Sequence, residues 1–374
     1  MSQIIEESLD ALARAGNLRM VPADGSADTL VDFTSNDYLG IASRADLRDE
    51  FIATLHPEDY QLTASASRLL ARRQRCFDEF EHFLENCYGR PALLFNSGYH
   101  ANTGLVSALA MKDVTVVADK LVHASIIDGI KLAGVPFERF RHNDVGHLER
   151  LAAKAQEEGR RVLIIVEGVY SMEGDAAPLE EIIEVKSRLK DALLYVDEAH
   201  SVGVEGPGGL GLVSALEPSQ REYVDVIIGT LGKALGSVGA YAIMNPTLRS
   251  WAVNKARSFI FSTSIPPLNV MWSRFAFEHA LGMDAERSHL KKLGTRLGDL
   301  LGTNSESHIQ GIMTGDPVRA VQYSGKLREL GFDVLPIRTP TVPPGTDRLR
   351  VSLSAMHSLD DIERLAAAVK SLNY

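Results

Sequence analysis

Five short apolar runs punctuate the first two-thirds of this chain, and each stops at a polar turn. They are Pro91 to Phe95, Val114 to Ala118, Val162 to Val166, Leu193 to Val196 and Val224 to Ile228, separated by stretches of helical spacing. Near-continuous apolar strands alternating with helices predict a mostly parallel sheet, buried on both faces by helices. Just past the strand ends stand Ser97-Gly98-Tyr99, then His123 beyond Asp119, then Glu167 to Ser171, then Asp197 with His200, then Thr230 with Lys233. Ligands of open α/β sheets bind outside the carboxyl ends of the strands. Five polar turns in that position read as one site.

The flanks of this pattern differ from it. Ile4, Ile5, Leu9 and Leu12 lie at roughly helical spacing and predict a short amphipathic arm. Pro22 to Asp28 reads as a loop, Leu30 to Phe33 as a short strand, and Ser35-Asn36-Asp37-Tyr38-Leu39-Gly40 as a turn with polar side chains. Phe77, Phe80, Phe83, Leu84 and Cys87 form a helical stripe that Gly89 stops. The segment Phe261 to Pro267 reads as a hinge. After it come helical patterns, strands at Phe332 to Ile337 and Arg348 to Leu353, and a terminal helix marked by Leu359, Ile362, Leu365, Val369 and Leu372. The expected division is an arm over 1–35, a large domain over 36–255 and a small α+β domain over 256–374.

Composition excludes several classes. The net charge of −10 argues against nucleic acid as the main partner. Residues 72–75, Arg-Arg-Gln-Arg, read as a solvated helix end. The two cysteines, Cys76 and Cys87, have no C-x-x-C spacing, so neither a disulfide framework nor a structural zinc site is expected, and a reducing cytoplasm fits. No stretch approaches the roughly 20 apolar residues that span a membrane, and Met1 to Leu12 lacks an apolar signal core.

The last strand runs into Gly229-Thr230-Leu231-Gly232-Lys233-Ala234-Leu235-Gly236. A lysine in such a turn is a phosphate-binding point charge or a nucleophilic amine. A P-loop needs G-x-x-x-x-G-K followed by Ser or Thr. Here Ile227 stands at its first position and Ala234 at its last, so the motif fails twice. Asp197-Glu198-Ala199-His200 spells a DEAH box, but no P-loop precedes it. Neither H-E-x-x-H nor G-x-S-x-G occurs, and no metal is expected. What remains is an aspartate at one strand end and a lysine after the next. Pyridoxal phosphate (PLP) needs that pair: an amine for its aldehyde, and a carboxylate for its pyridinium nitrogen. Ser97-Gly98-Tyr99 at a helix start would cradle the phosphate, and His123 would stack on the ring.

These motifs resemble the α-oxoamine synthases, fold-type I PLP enzymes, from about Leu30 to the C-terminus. Ser35 to Gly40, His123-Ala124-Ser125, Glu167 to Met172, Val196 to His200, Gly229 to Lys233 and Ser262 to Pro267 carry the resemblance. In the tail, Ile309-Gln310, Gly315-Asp316, Ile337-Arg338, Pro340 to Pro343 and Arg348-Leu349-Arg350 look like the branch serving biotin synthesis. The resemblance implies a decarboxylative condensation of L-alanine with a pimeloyl thioester, carried on coenzyme A or on acyl carrier protein. Lys233 would bond the cofactor and later take the Cα proton, which requires it uncharged, with a depressed pKa. Asp197 would hold the pyridine nitrogen, His200 and Ser171 the ring's O3′, and His123 would stack and touch substrate. Gly98, Tyr99 and Thr230 would serve the phosphate, and Thr263 that of a neighbouring subunit, the family placing its sites at homodimer interfaces. Asn36 and Arg338 would hold the amino acid carboxylate; Arg19 and Thr341 would line the acyl path. One region departs from the family: the run 62–70 is Ala/Ser-based where relatives carry glycines, and Arg72 and Phe77 replace a glycine and a histidine. Two other readings stand beside this one: a sister synthase such as glycine C-acetyltransferase, and a PLP-fold protein that binds without catalysing.

Overall fold

The computed structural model describes residues 1–21, 29–71, 75–303 and 305–372, and its chain divides into two compact units. The loop expected over Pro22 to Asp28 and the arginines at 72 and 73 lie outside the described residues.

The larger unit comprises Leu39–Tyr170 and Asp175–Asp284. Seven strands form its sheet: β1 Ala92–Phe95, β2 Val114–Asp119, β3 Phe137–Phe140, β4 Arg161–Glu167, β5 Ala192–Asp197, β6 Val226–Thr230 and β7 Ala240–Met244. Their order is β1-β7-β6-β5-β4-β2-β3; β7 pairs antiparallel with β1 and β6, and every other pair is parallel. The sequence pattern therefore matches a mostly parallel α/β sheet. Alternate residues of β4 face opposite ways. Leu163 and Ile165 join the cluster that includes Leu105 and Val106 of the helix Gly98–Leu109 and Ile126 and Ile130 of the helix Ala124–Ala133. Val162, Ile164 and Val166 are equally buried on the other face, where the helix Val145–Glu157 packs against β4. From β2 the chain goes outward to β3, then returns to β4 on β2's other side. The ends of β2 and β4 thus flank a topological switch point, where such sheets bind ligands.

The edge strand β3 carries no apolar run; Phe137, Glu138 and Arg139 are exposed and only Phe140 is buried. Near the departure from the family, Ser65 adopts φ +55°, a left-handed conformation that glycine takes without cost. Phe77 is buried on the helix Arg75–Tyr88, as its stripe predicts.

The boundary expected at 255/256 falls inside the larger of the two compact units. The helix Pro267–Leu281 stays with the sheet unit, because Phe277 packs between Phe80, Phe83 and Tyr241. The segment 261–267 is accordingly internal to one unit and not a hinge between two.

The smaller unit comprises Met1–Tyr38, Ser171–Gly174 and Ala285–Tyr374. The expected arm belongs to it, because Val31–Asp32 pairs in parallel with Phe332–Asp333. The strand expected over Phe332 to Ile337 serves two sheets: beyond Val334 it continues as β8 Leu335–Ile337, which pairs with β9 Arg348–Ser352. A third strand, Ile309–Met313, pairs antiparallel with the other edge of β9. The helix Ser2–Arg14 is amphipathic as expected but buries no residue. Among the described residues, no helix is long and apolar enough to cross a membrane, and no group of three or more His, Cys, Asp or Glu could hold a metal. Cys76 and Cys87 are free thiols.

Candidate active site

Lys233 sits in the turn joining β6 to β7. Backbone bonds close that turn from within: Leu231 N–H donates to Gly239 at 2.9 Å, Ser237 to Leu231 at 2.9 Å and Gly236 to Lys233 at 2.9 Å. Gly236 at φ +55° lies 2.6 Å, by the Cβ it lacks, from the backbone of Ala42, so only glycine fits there. The amine it presents, Lys233 Nζ, is 2.7 Å from Nε2 of the buried His200.

Asp197 ends β5 with its carboxylate buried. Ala199 N–H donates to Oδ1 at 3.0 Å and Asn102 Nδ2 to Oδ2 at 2.7 Å. Asn102 also accepts from Tyr195 OH at 2.6 Å and donates to Ser125 Oγ at 2.9 Å. Close helix packing makes this possible: a Cβ on Gly129 would meet Val106 at 2.9 Å and the Asn102 carbonyl at 3.1 Å. Ser125 Oγ in turn lies 2.7 Å from His123 Nδ1. His123 caps its helix, and its N–H donates to the Glu167 carboxylate across the switch point. His123 keeps solvent access, yet the protein around its ring excludes enough water to hold its pKa below the ordinary imidazole value. Asp197 pulls that pKa up and Lys233 pushes it down, so both charges act on the same ring.

Gly98 and Tyr99 open the helix after β1, with Ser97 as its cap; Ser97 Oγ accepts from His100 N–H at 3.2 Å. A Cβ on Gly98 would meet nothing nearer than Thr230 Oγ1 at 3.9 Å, which joins the ends of β1 and β6 at one rim. Tyr99 OH donates to Asp128 at 2.6 Å. Thr263 is exposed, and its carbonyl accepts from Asn96 Nδ2 at 2.5 Å.

The remaining expected residues belong to the smaller unit. Asn36 Oδ1 accepts from Arg350 Nη2 at 2.9 Å and from Tyr38 OH at 2.9 Å. Arg350 Nε donates to the Ser171 carbonyl at 2.7 Å, so this buried guanidinium joins two expected site residues. Arg338 is not brought to Asn36; it donates to the Gly16 carbonyl. Arg19 and Thr341 do meet, at 2.7 Å. Sequence reasoning passed over Asn102, Ser125, Glu167 and Arg350 as site residues. Ser125, Glu167 and Arg350 stand inside motifs named above; Asn102 stands in none, and its one signal was to be a polar residue within an apolar helical run.

A model of the aminotransferase class I and II family matches residues 28–369. The 8-amino-7-oxononanoate synthase of Chlorobaculum parvum is 43% identical over 92% of this chain and 89% of its own. A solved serine palmitoyltransferase of S. paucimobilis, with a bound PLP–myriocin aldimine, superposes with TM-score 0.87 at 28% identity, covering 99% of this chain and 97% of that one. The solved 8-amino-7-oxononanoate synthase of Francisella tularensis gives TM-score 0.77 at 26% identity, covering 93% and 99%. The chain therefore belongs to the aminotransferase class I and II family and, within it, to the α-oxoamine synthases typified by 8-amino-7-oxononanoate synthase.

Proposed function

We propose that this chain is a PLP-dependent C-acyltransferase that condenses L-alanine with a pimeloyl thioester, with loss of carbon dioxide, in biotin synthesis. The observation that carries the reading is the hydrogen-bonded chain from the Asp197 carboxylate through Asn102 and Ser125 to the ring of His123, with the Lys233 amine in the turn after the adjacent parallel strand β6. A carboxylate, an amine and a flat partner at the ends of neighbouring strands suit a pyridinium ring and its aldehyde. The close-packed Asn102 and the Ala199 N–H keep the Asp197 carboxylate aimed. PLP, when bound, supplies an aldehyde for the amino group and a ring that withdraws electrons from the bonds at Cα. Lys233 Nζ takes the Cα proton, and His200 Nε2 beside it steadies that amine. With PLP bound, His123 would offer the flat face, Gly98, Tyr99 and Thr230 would hold the phosphate, and His200 and Ser171 would serve O3′. The new C–C bond joins the alanine Cα to the thioester carbonyl; the thiol leaves, and the alanine carboxylate departs as carbon dioxide.

For the amino acid carboxylate we favour Asn36 with Arg350, since Arg350 and not Arg338 is bonded to Asn36. Arg19 and Thr341, already paired, are the proposed acyl-path residues. The working form we infer is a cytoplasmic homodimer, with Thr263 reaching the phosphate of the other subunit; the two free cysteines suit a reducing compartment. The acyl carrier is either coenzyme A or acyl carrier protein. Turnover with alanine plus pimeloyl thioester is expected to exceed turnover with glycine plus acetyl-CoA; the reverse preference overturns the assignment in favour of glycine C-acetyltransferase. A purified protein with no aldimine absorbance would point instead to a non-catalytic binder.

A further inference from the structure

We propose that Asn102 and Ser125 are positioning residues that hold His123 as its neutral Nε2–H tautomer and link that state to the carboxylate of Asp197. Each hydrogen bond fixes the next. The Asp197 carboxylate can only accept, so the atom 2.7 Å from it must be the amide nitrogen of Asn102. The other side of the amide agrees: Tyr195 OH, 2.6 Å from Asn102 Oδ1, is fully buried and donates there. Burial holds the Tyr195 phenol well above its usual range, with Asp197 adding to the effect, so this donor keeps its proton. Asn102 has one amide hydrogen left, and it reaches Ser125 Oγ at 2.9 Å. Ser125 is wholly buried, so its own hydrogen goes to the acceptor within reach, His123 Nδ1 at 2.7 Å. The Ser125 backbone N–H points at the same nitrogen from 3.2 Å. A nitrogen facing two donors carries no hydrogen. The neutral ring therefore bears its proton on Nε2, which has no hydrogen-bond partner among the described residues and keeps solvent access.

The charges facing the ring come from several elements. Asp197 on β5 and Asp128 on the ring's own helix favour the imidazolium, while Lys233 in the β6–β7 turn opposes it. The Glu167 carboxylate, at the end of β4, accepts from the His123 backbone. Donors on Nδ1 favour the uncharged ring, so their removal makes the ring easier to protonate. Ser125→Ala deletes the hydroxyl donor. Asn102→Leu leaves the hydroxyl but frees it to turn and accept from an Nδ1–H.

The part of His123 in turnover rests on the function proposed above; the tautomer does not. The test uses the PLP-loaded enzyme with 15N-labelled histidine, observed by two-bond 1H–15N correlation, with His123→Asn to assign the signal. Near neutral pH the wild-type ring is expected to show Nε2–H and a bare Nδ1. In Ser125→Ala and Asn102→Leu the ring is expected to protonate about one pH unit higher, with an Nδ1–H form appearing in the second. A wild-type ring carrying its hydrogen on Nδ1, or two variants that titrate as the wild type does, overturns the proposal. If Asn102→Leu does not fold, Ser125→Ala alone decides. An enzyme that shows the Nε2–H ring but refuses alanine keeps this inference and loses the proposed substrate; one that turns over alanine with an Nδ1–H ring does the opposite.

Discussion

Replacing His142 with glutamine should cost stability near pH 6 and progressively less as the solution becomes alkaline. Both ring nitrogens of His142 face carboxylates: Nδ1 lies 3.1 Å from Asp119 Oδ1, and Nε2 lies 2.9 Å from Asp175 Oδ2. Two acceptor-only partners require hydrogens on both nitrogens, which only the imidazolium has. Partial burial works against that charge, but the hydrogen bonds and charges of Asp119 and Asp175 outweigh it and raise the pKa from 6.5 to about 10. At 1.36 kcal/mol per pH unit the full rise would be worth about 5 kcal/mol. The Asp175 side chain is 47% exposed, so water screens part of this, and about 2–3 kcal/mol is the expected contribution. The folded state holds this proton more tightly than the unfolded chain. The stabilisation is thus complete below the unfolded value of 6.5 and is lost as pH rises through about 10. Urea unfolding of wild type and His142→Gln at about pH 6, 8 and 10 reads the difference directly. It should shrink from about 2–3 kcal/mol toward the small residue left by lost packing against Tyr170, whose ring lies 4.5 Å away. A difference that stays constant over this range would refute the paired-imidazolium reasoning. The site feels the same change, because Asp119 Oδ1 also accepts from Leu121 N–H at 2.8 Å, two residues before His123.

Glu198 gives a second stability test in a different window. Burial raises its pKa to about 7 although Ser201, Val213 and Leu212 donate to it, so its stabilisation is complete below the usual 4.5 and is lost as pH rises through about 7. Glu198→Gln should remove that slope; identical slopes in both proteins would show that this carboxyl does not carry it. Lys233→Ala should lower kcat about 10³-fold or more, and borohydride reduction followed by mass spectrometry should find a pyridoxyl adduct on Lys233 in the wild type alone. An adduct on another residue removes Lys233 from the chemistry. Arg350→Lys has one nitrogen for the two bonds now made to Asn36 and Ser171, so KM for alanine should rise about tenfold with little change in kcat. An unchanged KM would separate Arg350 from amino acid binding.

The sheet was readable because its central strands are buried on both faces and carry apolar side chains along most of their length. All five expected strands lie within two residues of β1, β2, β4, β5 and β6. The edge strand β3 meets no such demand: Glu138 and Arg139 point to water, and nothing in Phe-Glu-Arg-Phe distinguishes it from a loop. Residues at strand ends were readable for a similar reason, since their place follows from where the apolar run stops. Asn102 was not, because its role depends on the distance between two helices. That distance is set by Gly129, a residue with no spacing relation to Asn102. The exchange of Arg338 for Arg350 beside Asn36 has the same origin. Both arginines lie in one stretch of motif, and only the antiparallel pairing of β9 decides which of them can reach Asn36 and Ser171.

The direction of one strand explains why the lysine turn is not a phosphate loop despite its glycines. A P-loop leads from a strand into a helix, whose N-terminus faces the anion. Here β6 is followed by β7, which returns antiparallel beside it, so Lys233 lies in a closed strand-to-strand turn with no helix behind it. An anion cradle must come from another strand. β7 is antiparallel to both β1 and β6, which makes those two parallel to each other with their carboxyl ends on one rim. The helix that begins at Gly98 follows β1 at that rim, and the near approach of Gly98 to Thr230 spans the gap over β7. Reversing a single strand thus separates the amine from the helix N-terminus along the chain while keeping them adjacent in space. A ligand with an aldehyde at one end and a phosphate at the other needs both properties.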